Sequence, residues 1–598
     1  MSDTTRLPLP QTRRRDRVIL LASTLTVLLF FLFPVLHGTQ PPGFPLDDGW
    51  IHATYARNLA AHGEFALNPG TPSTGTTSLL WTVLLGGVMD AGLPAVPGAW
   101  LLAGVSLLLL VAFWHDLLHD FGVGRLAAFV SAAALPASGI LLWWTFSGME
   151  TTLFLLLAIV TLHRVSRRDH RGAGFGLALL VLARPEGILL APALALWTWR
   201  RDRSLSAVWP LLAGAAAGAL LYVGWNLAVS GAPYTSTLDG RRWLAHGGRI
   251  PETNILSFPG DLFHLVLRWL RTVGWGLLRD MPVPLRIVVA IAATPILFGT
   301  IRSALAARRR PPSPAGAPAG SSGSSRHASA QPGASQSGMG QRNTVSPWMA
   351  LVVWVLLHTT AYALLLPYPG HAGRYLAPLL LPLAALLGAI IDGHFRATHL
   401  RATHLRAAPL REVATTMRAG WLSLRGWTPR MILLLLVFTP IALYSITTWR
   451  MVWLSSTRHI DAVHRRAAEW IHGHTAPNSR IAAFDIGAIA FFSGREVIDL
   501  GGLADPAAAA YMNGRIDAFI LLRQAEYTAM IAPYEGIDAP GWIPANLGYG
   551  RGGMLDRHTV REFHISPPHY RSHIALTGNA YPRMLIDRCA ENLQKHTH

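Results

Sequence analysis

Two adjacent carboxylates, Asp47 and Asp48, follow Pro41-Pro42-Gly43-Phe44-Pro45 and open a helical pattern that runs Ile51, Tyr55, Leu59 and closes at Gly63. At a helix start such a pair can simply cap the helix and gain from its dipole. It can also do chemistry, one acid deprotonating a hydroxyl while the other orients groups or binds a divalent ion. The polar residues with which it could act are Arg57 on the same helix, Glu150 in Ser147-Gly148-Met149-Glu150-Thr151-Thr152, and the Arg184-Pro185-Glu186-Gly187 tip. To these the run His371-Ala372-Gly373-Arg374-Tyr375 adds a histidine, an arginine and a tyrosine. Arginine forks bind phosphate, and a carboxylate deprotonates an attacking hydroxyl. A lipid phosphate departs readily when guanidinium groups or a metal offset its growing charge. The set therefore points to displacement of a phosphate leaving group.

The elements that must position these residues are membrane helices. The chain has 598 residues, 51% of them hydrophobic and 14% charged, with mean hydropathy +0.33, and its apolar runs reach membrane-spanning length. A net charge of +19 in so apolar a chain reads as topology signals and contacts with membrane lipids rather than as a nucleic-acid surface. The single cysteine, Cys589, excludes an internal disulfide and a cysteine-based zinc site.

Arginines 13, 14, 15 and 17 precede the apolar run Val18–Leu36, which places residues 1–17 in the cytoplasm and Asp47 and Asp48 outside. The clusters Arg164–Arg171, Arg200–Arg203 and Arg308–Arg310 then fix the remaining turns. Between the first two, Gly172–Trp199 must be a hairpin, and its Arg184–Gly187 tip has two readings: a stop at membrane depth, where charged backbone is tolerated only if it lines a cavity, or a salt-paired turn between longer helices. Ser78–Leu93 and Leu262–Leu278 read as interfacial helices, and the first acidic helix as one lying with its apolar face on the membrane.

The predicted fold is an all-α polytopic membrane bundle of about 11 transmembrane helices with a C-terminal extracytoplasmic α/β domain. Residues 18–310 form an N-terminal membrane module with outer loops 37–97 and 230–282. Residues 311–346, rich in Pro, Ala, Gly and Ser, form a disordered cytoplasmic linker. Residues 347–449 supply further spans around a basic cytoplasmic loop, 393–430, and residues 450–598 form the outer domain. Such a chain belongs in a bacterial-type inner (plasma) membrane.

The run Leu46-Asp47-Asp48-Gly49-Trp50-Ile51…Tyr55-Ala56-Arg57-Asn58-Leu59…Asn68-Pro69-Gly70…Thr76-Thr77-Ser78-Leu79-Leu80-Trp81 resembles the GT-C superfamily of polyprenyl-phosphate-sugar glycosyltransferases. It is most similar to the branch of cell-wall β-arabinofuranosyltransferases. Ser147–Thr151, Arg184–Gly187, Gly373–Pro378, Asp485–Ala490 and Val497–Pro506 carry further similarity to that branch. The resemblance implies a GT-C-like fold and inverting transfer of a sugar, such as arabinofuranose, from a polyprenyl-phosphate donor to a cell-envelope glycan or other hydroxyl acceptor. It implies Asp47, with Asp48 beside it, as catalytic base or contact for Mg, Mn or Ca. Arg184 and Arg374 would then hold the donor phosphate, with Arg57, Glu150, Glu186, His371 and Tyr375 lining the substrates. Two positions depart from the branch: Gly49 replaces an aromatic residue or alanine, and Pro233-Tyr234-Thr235 stands where Pro-Asn-Thr is usual. Sugar and acceptor stay open on that account. Intramembrane charges and broken helices also suit a transporter or flippase of a lipid-linked substrate, and a non-catalytic scaffold would keep the same fold.

Overall fold

The computed structural model describes residues 9–238, 240–241, 258–275, 283, 346, 348–366, 368–405, 428–532, 547, 549, 555–565 and 583–591. The expected span Pro284–Ile301, most of the linker 311–346 and residues 406–427 of the basic loop lie outside them.

The first half is a run of helices: α1 (Leu9–Leu36), α2 (Asp47–His62), α3 (Leu79–Asp90), α4 (Ala95–Asp120), α5 (Arg125–Ala137), α6 (Gly139–Thr145), α7 (Thr151–Ser166), α8 (His170–Ala183), α9 (Leu190–Asp202) and α10 (Leu205–Ser230). A two-stranded hairpin, β1 (Ala66–Asn68) and β2 (Thr71–Pro72), follows α2. After it come α11 (Phe258–Leu270), α12 (Trp348–Leu365), α13 (Leu380–Leu405) and the long α14 (Thr428–His459), with a turn of 3-10 helix over His371–Leu379.

Among the described residues, five helical stretches are long and apolar enough to cross a bilayer, and the pair α5–α6, bent by 58°, would make a sixth. This is a multi-pass membrane protein. The predicted count of about 11 is not reached among the described residues, and helix length is part of the reason. Helices α7, α8 and α9, expected to cross, have 16, 14 and 13 residues, so they extend only about 20–24 Å against roughly 30 Å of hydrocarbon.

Ion pairs tie the arginine-rich helix ends together: Arg125 to Asp16, Arg17 to Asp116, Arg167 to Asp120, and Arg168 and Arg201 to Asp202. The opposite ends of α7 and α8 carry Glu150 and Arg184. Helices α8 and α10 meet backbone to backbone. A Cβ on Gly214 would lie 2.0 Å from the Gly174 carbonyl oxygen, and one on Gly218 would lie 2.8 Å from that of Ala178. Small residues four apart permit this approach where no hydrophobic force separates helix from lipid.

The tail continues α14 through a π-turn (Ile460–Arg465) into α15 (Arg466–His474). A five-stranded sheet of order β4-β3-β5-β7-β6 follows, built from β3 (Arg480–Ala483), β4 (Glu496–Asp499), β5 (Tyr527–Ala532), β6 (Leu555–His564) and β7 (Arg583–Glu591). Strand β3 pairs in parallel with β4 and β5, and β7 is antiparallel to β5 and β6. Short helices α16 (Gly487–Ser493) and α17 (Ile516–Leu522) complete it.

Helix α2 does not lay its Ile51–Tyr55–Leu59 face on lipid. Ile51 and Tyr55 are buried in the apolar core of the tail, with Leu59 packed against it, while Trp50, Ala53 and Ala56 enter the core of the bundle. The tail supplies an apolar partner that the local pattern could not reveal. Helix α11 likewise packs on the bundle, with Leu265 and Trp269 buried against Ala363 and Leu376. Gly214→Val should pry α8 from α10 at a cost on the order of 1–3 kcal/mol, read as a lowered midpoint of thermal unfolding in detergent.

Candidate active site between bundle and tail

Asp47 and Asp48 leave α2 about 100° apart, as consecutive helical residues must, and each meets a different body of the protein. Asp48 faces the bundle, where Arg374 Nη2 donates to its Oδ2 and Arg241 Nη2 lies 3.9 Å from the same oxygen. Burial alone would raise the Asp48 pKa, but Arg374, helped by His371 and Arg241, holds it well below the usual carboxylate range.

Arg374 is only 1% exposed. It sits in a turn where Ala372 and Gly373 both take positive φ, 51° and 73°. Their carbonyls accept hydrogen bonds from Trp144 Nε1 and Trp269 Nε1, each at 3.0 Å. Indole donors from two other helices thus hold a turn that alanine enters only at some cost.

Behind Arg374 is Tyr375, whose ring centroid lies 5.3 Å from the guanidinium carbon of Arg374 and 5.5 Å from those of Arg184 and Arg241. Tyr362 stacks on it at 5.3 Å. Arg184 donates to Glu186 at 2.7 Å and to the Tyr362 hydroxyl at 2.8 Å, and that hydroxyl donates to Glu186 at 2.5 Å. Glu150, 2% exposed, lies 3.6 Å from Arg184 on one side and 3.6 Å from His52 Nε2 on the other. Burial pushes the His52 pKa down despite Glu150. Among the described residues, Arg374 Nη1 and Glu150 Oε2 are buried without a hydrogen-bond partner.

Asp47 faces the tail. Its two oxygens accept the backbone N–H groups of Gly487, at 2.6 Å, and Ala488, at 2.8 Å. Burial and the neighbouring Asp485 raise its pKa to about 7, against the opposing pull of His464 and those N–H groups.

Asp48, Glu150, Arg184, Glu186, Arg374 and Tyr375 thus form one connected network, with His371 within electrostatic reach of Asp48. Arg57, expected to bind substrate, is instead committed to the tail, donating to the Phe491 carbonyl at 2.6 Å and to that of Ala490 at 3.4 Å. Asp47 at the start of α16 and Arg57 at its end complement the poles of that helix. The reason is helical period: Arg57 lies on the tail-facing side of α2.

Three participants were not foreseen: His52, Arg241 and Tyr362. Arg241 stands in Gly240-Arg241-Arg242, whose basic pair was legible, but its position above Tyr375 depends on the close approach of Gly240 to Gly501. Gly49, the departure in the acidic motif, has a local cause, since a Cβ there would lie 2.7 Å from the Ser147 carbonyl oxygen.

A divalent ion, weighed for Asp47 and Asp48 but not demanded by the sequence, does not fit the residues as placed. Asp47 is turned to backbone donors and Asp48 to guanidinium groups, and among the described residues no group of three or more His, Cys, Asp or Glu could hold a metal.

A family profile described as a domain of unknown function, DUF8728, matches residues 455–571. No curated protein matches the chain. Among solved structures, the chain is similar to the apo form of ArnT from Cupriavidus metallidurans, with 13% identity over 95% of this chain and 97% of that one and a TM-score of 0.49. ArnT bound to undecaprenyl phosphate aligns with 14% identity over 95% and 97%, TM-score 0.47. The Archaeoglobus fulgidus oligosaccharyltransferase tethered to an acceptor peptide aligns with 13% identity over 92% of this chain and 73% of that one, TM-score 0.48.

Replacing Asp48 with alanine should leave Arg374 buried without its anion and cost about 3–5 kcal/mol. Thermal unfolding in detergent should show the loss as a lowered midpoint.

Proposed function

We propose that this protein is a GT-C-type membrane glycosyltransferase that moves a sugar, a pentofuranose such as arabinofuranose, from a polyprenyl-phosphate donor to a hydroxyl of a cell-envelope glycan on the outer face of the membrane. The observation that carries the reading is a buried guanidinium, Arg374, with Nη1 lacking a hydrogen-bond partner among the described residues. It shares one tyrosine ring with two further guanidinium groups at the junction of an apolar bundle and a polar domain. A phosphate on an apolar tail has the matching chemistry: the tail stays among the helices and the phosphate meets the arginines.

The two acids divide the work by environment. Adjacent carboxylates with pKa values pushed apart mark separate roles. Asp48, held ionised by Arg374, keeps that arginine in place. Asp47, at about 7, accepts the proton of the attacking hydroxyl. The acceptor oxygen bonds to the anomeric carbon as the bond to phosphate oxygen breaks, so configuration inverts. The phosphate departs with the electron pair, its charge offset by Arg374, Arg241 and Arg184. Glu150 and Glu186 hold Arg184, and His371 and Tyr375 border the donor side. The domain boundaries expected from sequence serve this division, with the bundle for donor and residues 450–598 for acceptor.

Labelled sugar on a synthetic polyprenyl phosphate tests the reading. Purified protein should transfer it to an alkyl arabinofuranoside, and Asp47→Asn should lower kcat by roughly 10²–10⁴-fold at unchanged expression. Uptake into vesicles without any glycosylated product would favour transport instead. If Asp48→Asn abolishes transfer while Asp47→Asn keeps it, the base is Asp48. The pH profile gives a separate check. A base must be deprotonated to act, so the rate should level off above about pH 7 and fall about tenfold per unit below it.

A further inference from the structure

The tail does more to α2 than cover it, because the residues around Asp47 form an organised support drawn from two of its segments. Asp485 lies two residues ahead of Gly487, whose N–H holds Asp47 Oδ2 at 2.6 Å. Its Oδ2 is 2.9 Å from Nε2 of His464, on the π-turn that joins α14 to the tail. His464 is 2% exposed, and its Nδ1 has no hydrogen-bond partner among the described residues.

The fit at this point leaves no room. A Cβ on Gly487 would lie 2.2 Å from the Asp47 carbonyl oxygen and 2.8 Å from the Ile51 nitrogen. Thr54 Oγ1 reaches the Gly487 carbonyl at 3.4 Å, and Trp50 packs against Phe491 and Phe492. The other charged groups nearby are engaged elsewhere: Asp48 with Arg374, Arg57 with the Phe491 and Ala490 carbonyls, and Arg465 with Asp461 and Glu469. The charges acting on Asp47 are those of Asp485 and His464.

We propose that His464 and Asp485, some 400 residues further along the chain, are positioning residues for transfer: their pair fixes the α16 entry that holds the Asp47 carboxylate facing the acceptor. A plain structural tie would need only the two N–H groups. A buried imidazole bonded to Asp485, two residues ahead of the first of those donors, sets the lateral position of the loop that carries them and so the orientation of the base. The assignment rests on the glycosyltransferase reading and adds the tail to its catalytic machinery.

Steady-state transfer of labelled pentofuranose from synthetic polyprenyl phosphate to an alkyl arabinofuranoside tests it in the full-length protein. His464→Gln and Asp485→Asn should each lower kcat on the order of 10- to 100-fold, the effect of a base displaced by a fraction of an ångström to one ångström. The donor KM should stay within about twofold, because Arg374, Arg241 and Arg184 are untouched. Arg480→Gln, which removes an exposed pair with Glu496 on the same domain, should change neither value. Thermal unfolding identifies any variant that fails to fold, and Gly487→Ala gives a second way to displace Asp47 without altering a charge. Wild-type transfer with kcat unchanged in the folded His464 and Asp485 variants overturns the assignment and leaves the glycosyltransferase reading standing. Equal losses in kcat and in donor affinity also overturn it, as the mark of general damage. A wild-type protein without transfer overturns both.

Discussion

A guanidinium buried to 1% in an apolar bundle demands an anion, and at Arg374 that anion is Asp48. The guanidinium could not be held there alone, since an unpaired buried charge costs several kcal/mol. The pair therefore ties the turn His371–Leu379 to the start of α2. Two indoles, Trp144 and Trp269, hold the carbonyls of that turn, and Tyr375 beneath it gathers Arg184 and Arg241. The rest of the polar network follows: Arg184 needs Glu186, Glu186 takes the Tyr362 hydroxyl, and Glu150 lies between Arg184 and His52. Charges this costly are kept within membrane-spanning structure where they do work.

Helix α2 is the joint between two bodies that have separate cores. Its Trp50, Ala53 and Ala56 belong to the bundle and its Ile51 and Tyr55 to the tail. The polar contacts divide in the same way, with Asp48 and His52 toward the helices and Asp47 and Arg57 toward α16. The β1–β2 hairpin that follows extends the joint. Asn68 exchanges two hydrogen bonds with Val497, each 2.8 Å, and so covers the edge strand of the tail sheet.

Helices α7 and α8 are short, 16 and 14 residues, and Glu150 and Arg184 stand at their adjoining ends, 3.6 Å apart. The 3-10 turn at Pro185–Leu189 places its charges inside the bundle.

Much of this was legible along the chain. Apolar runs and arginine clusters specify a multi-pass protein, because lipid excludes charge and leaves its signature in local composition. The tail strands around 480–484 and 497–500 show as short apolar runs, and the acidic pair, the Arg184–Gly187 tip and the Gly373–Tyr375 turn stand out as polar residues in apolar surroundings. What sequence order could not supply is which group meets which. Asp47 and Asp48 are neighbours with the same chemistry, yet helical geometry turns one to Arg374 and the other to Gly487. The apolar face of α2 reads identically whether lipid or a domain 400 residues away covers it. Local pattern determined which residues are buried or charged; only the packing of distant segments decided their partners, since contact energies depend on distance in space and not on position along the chain.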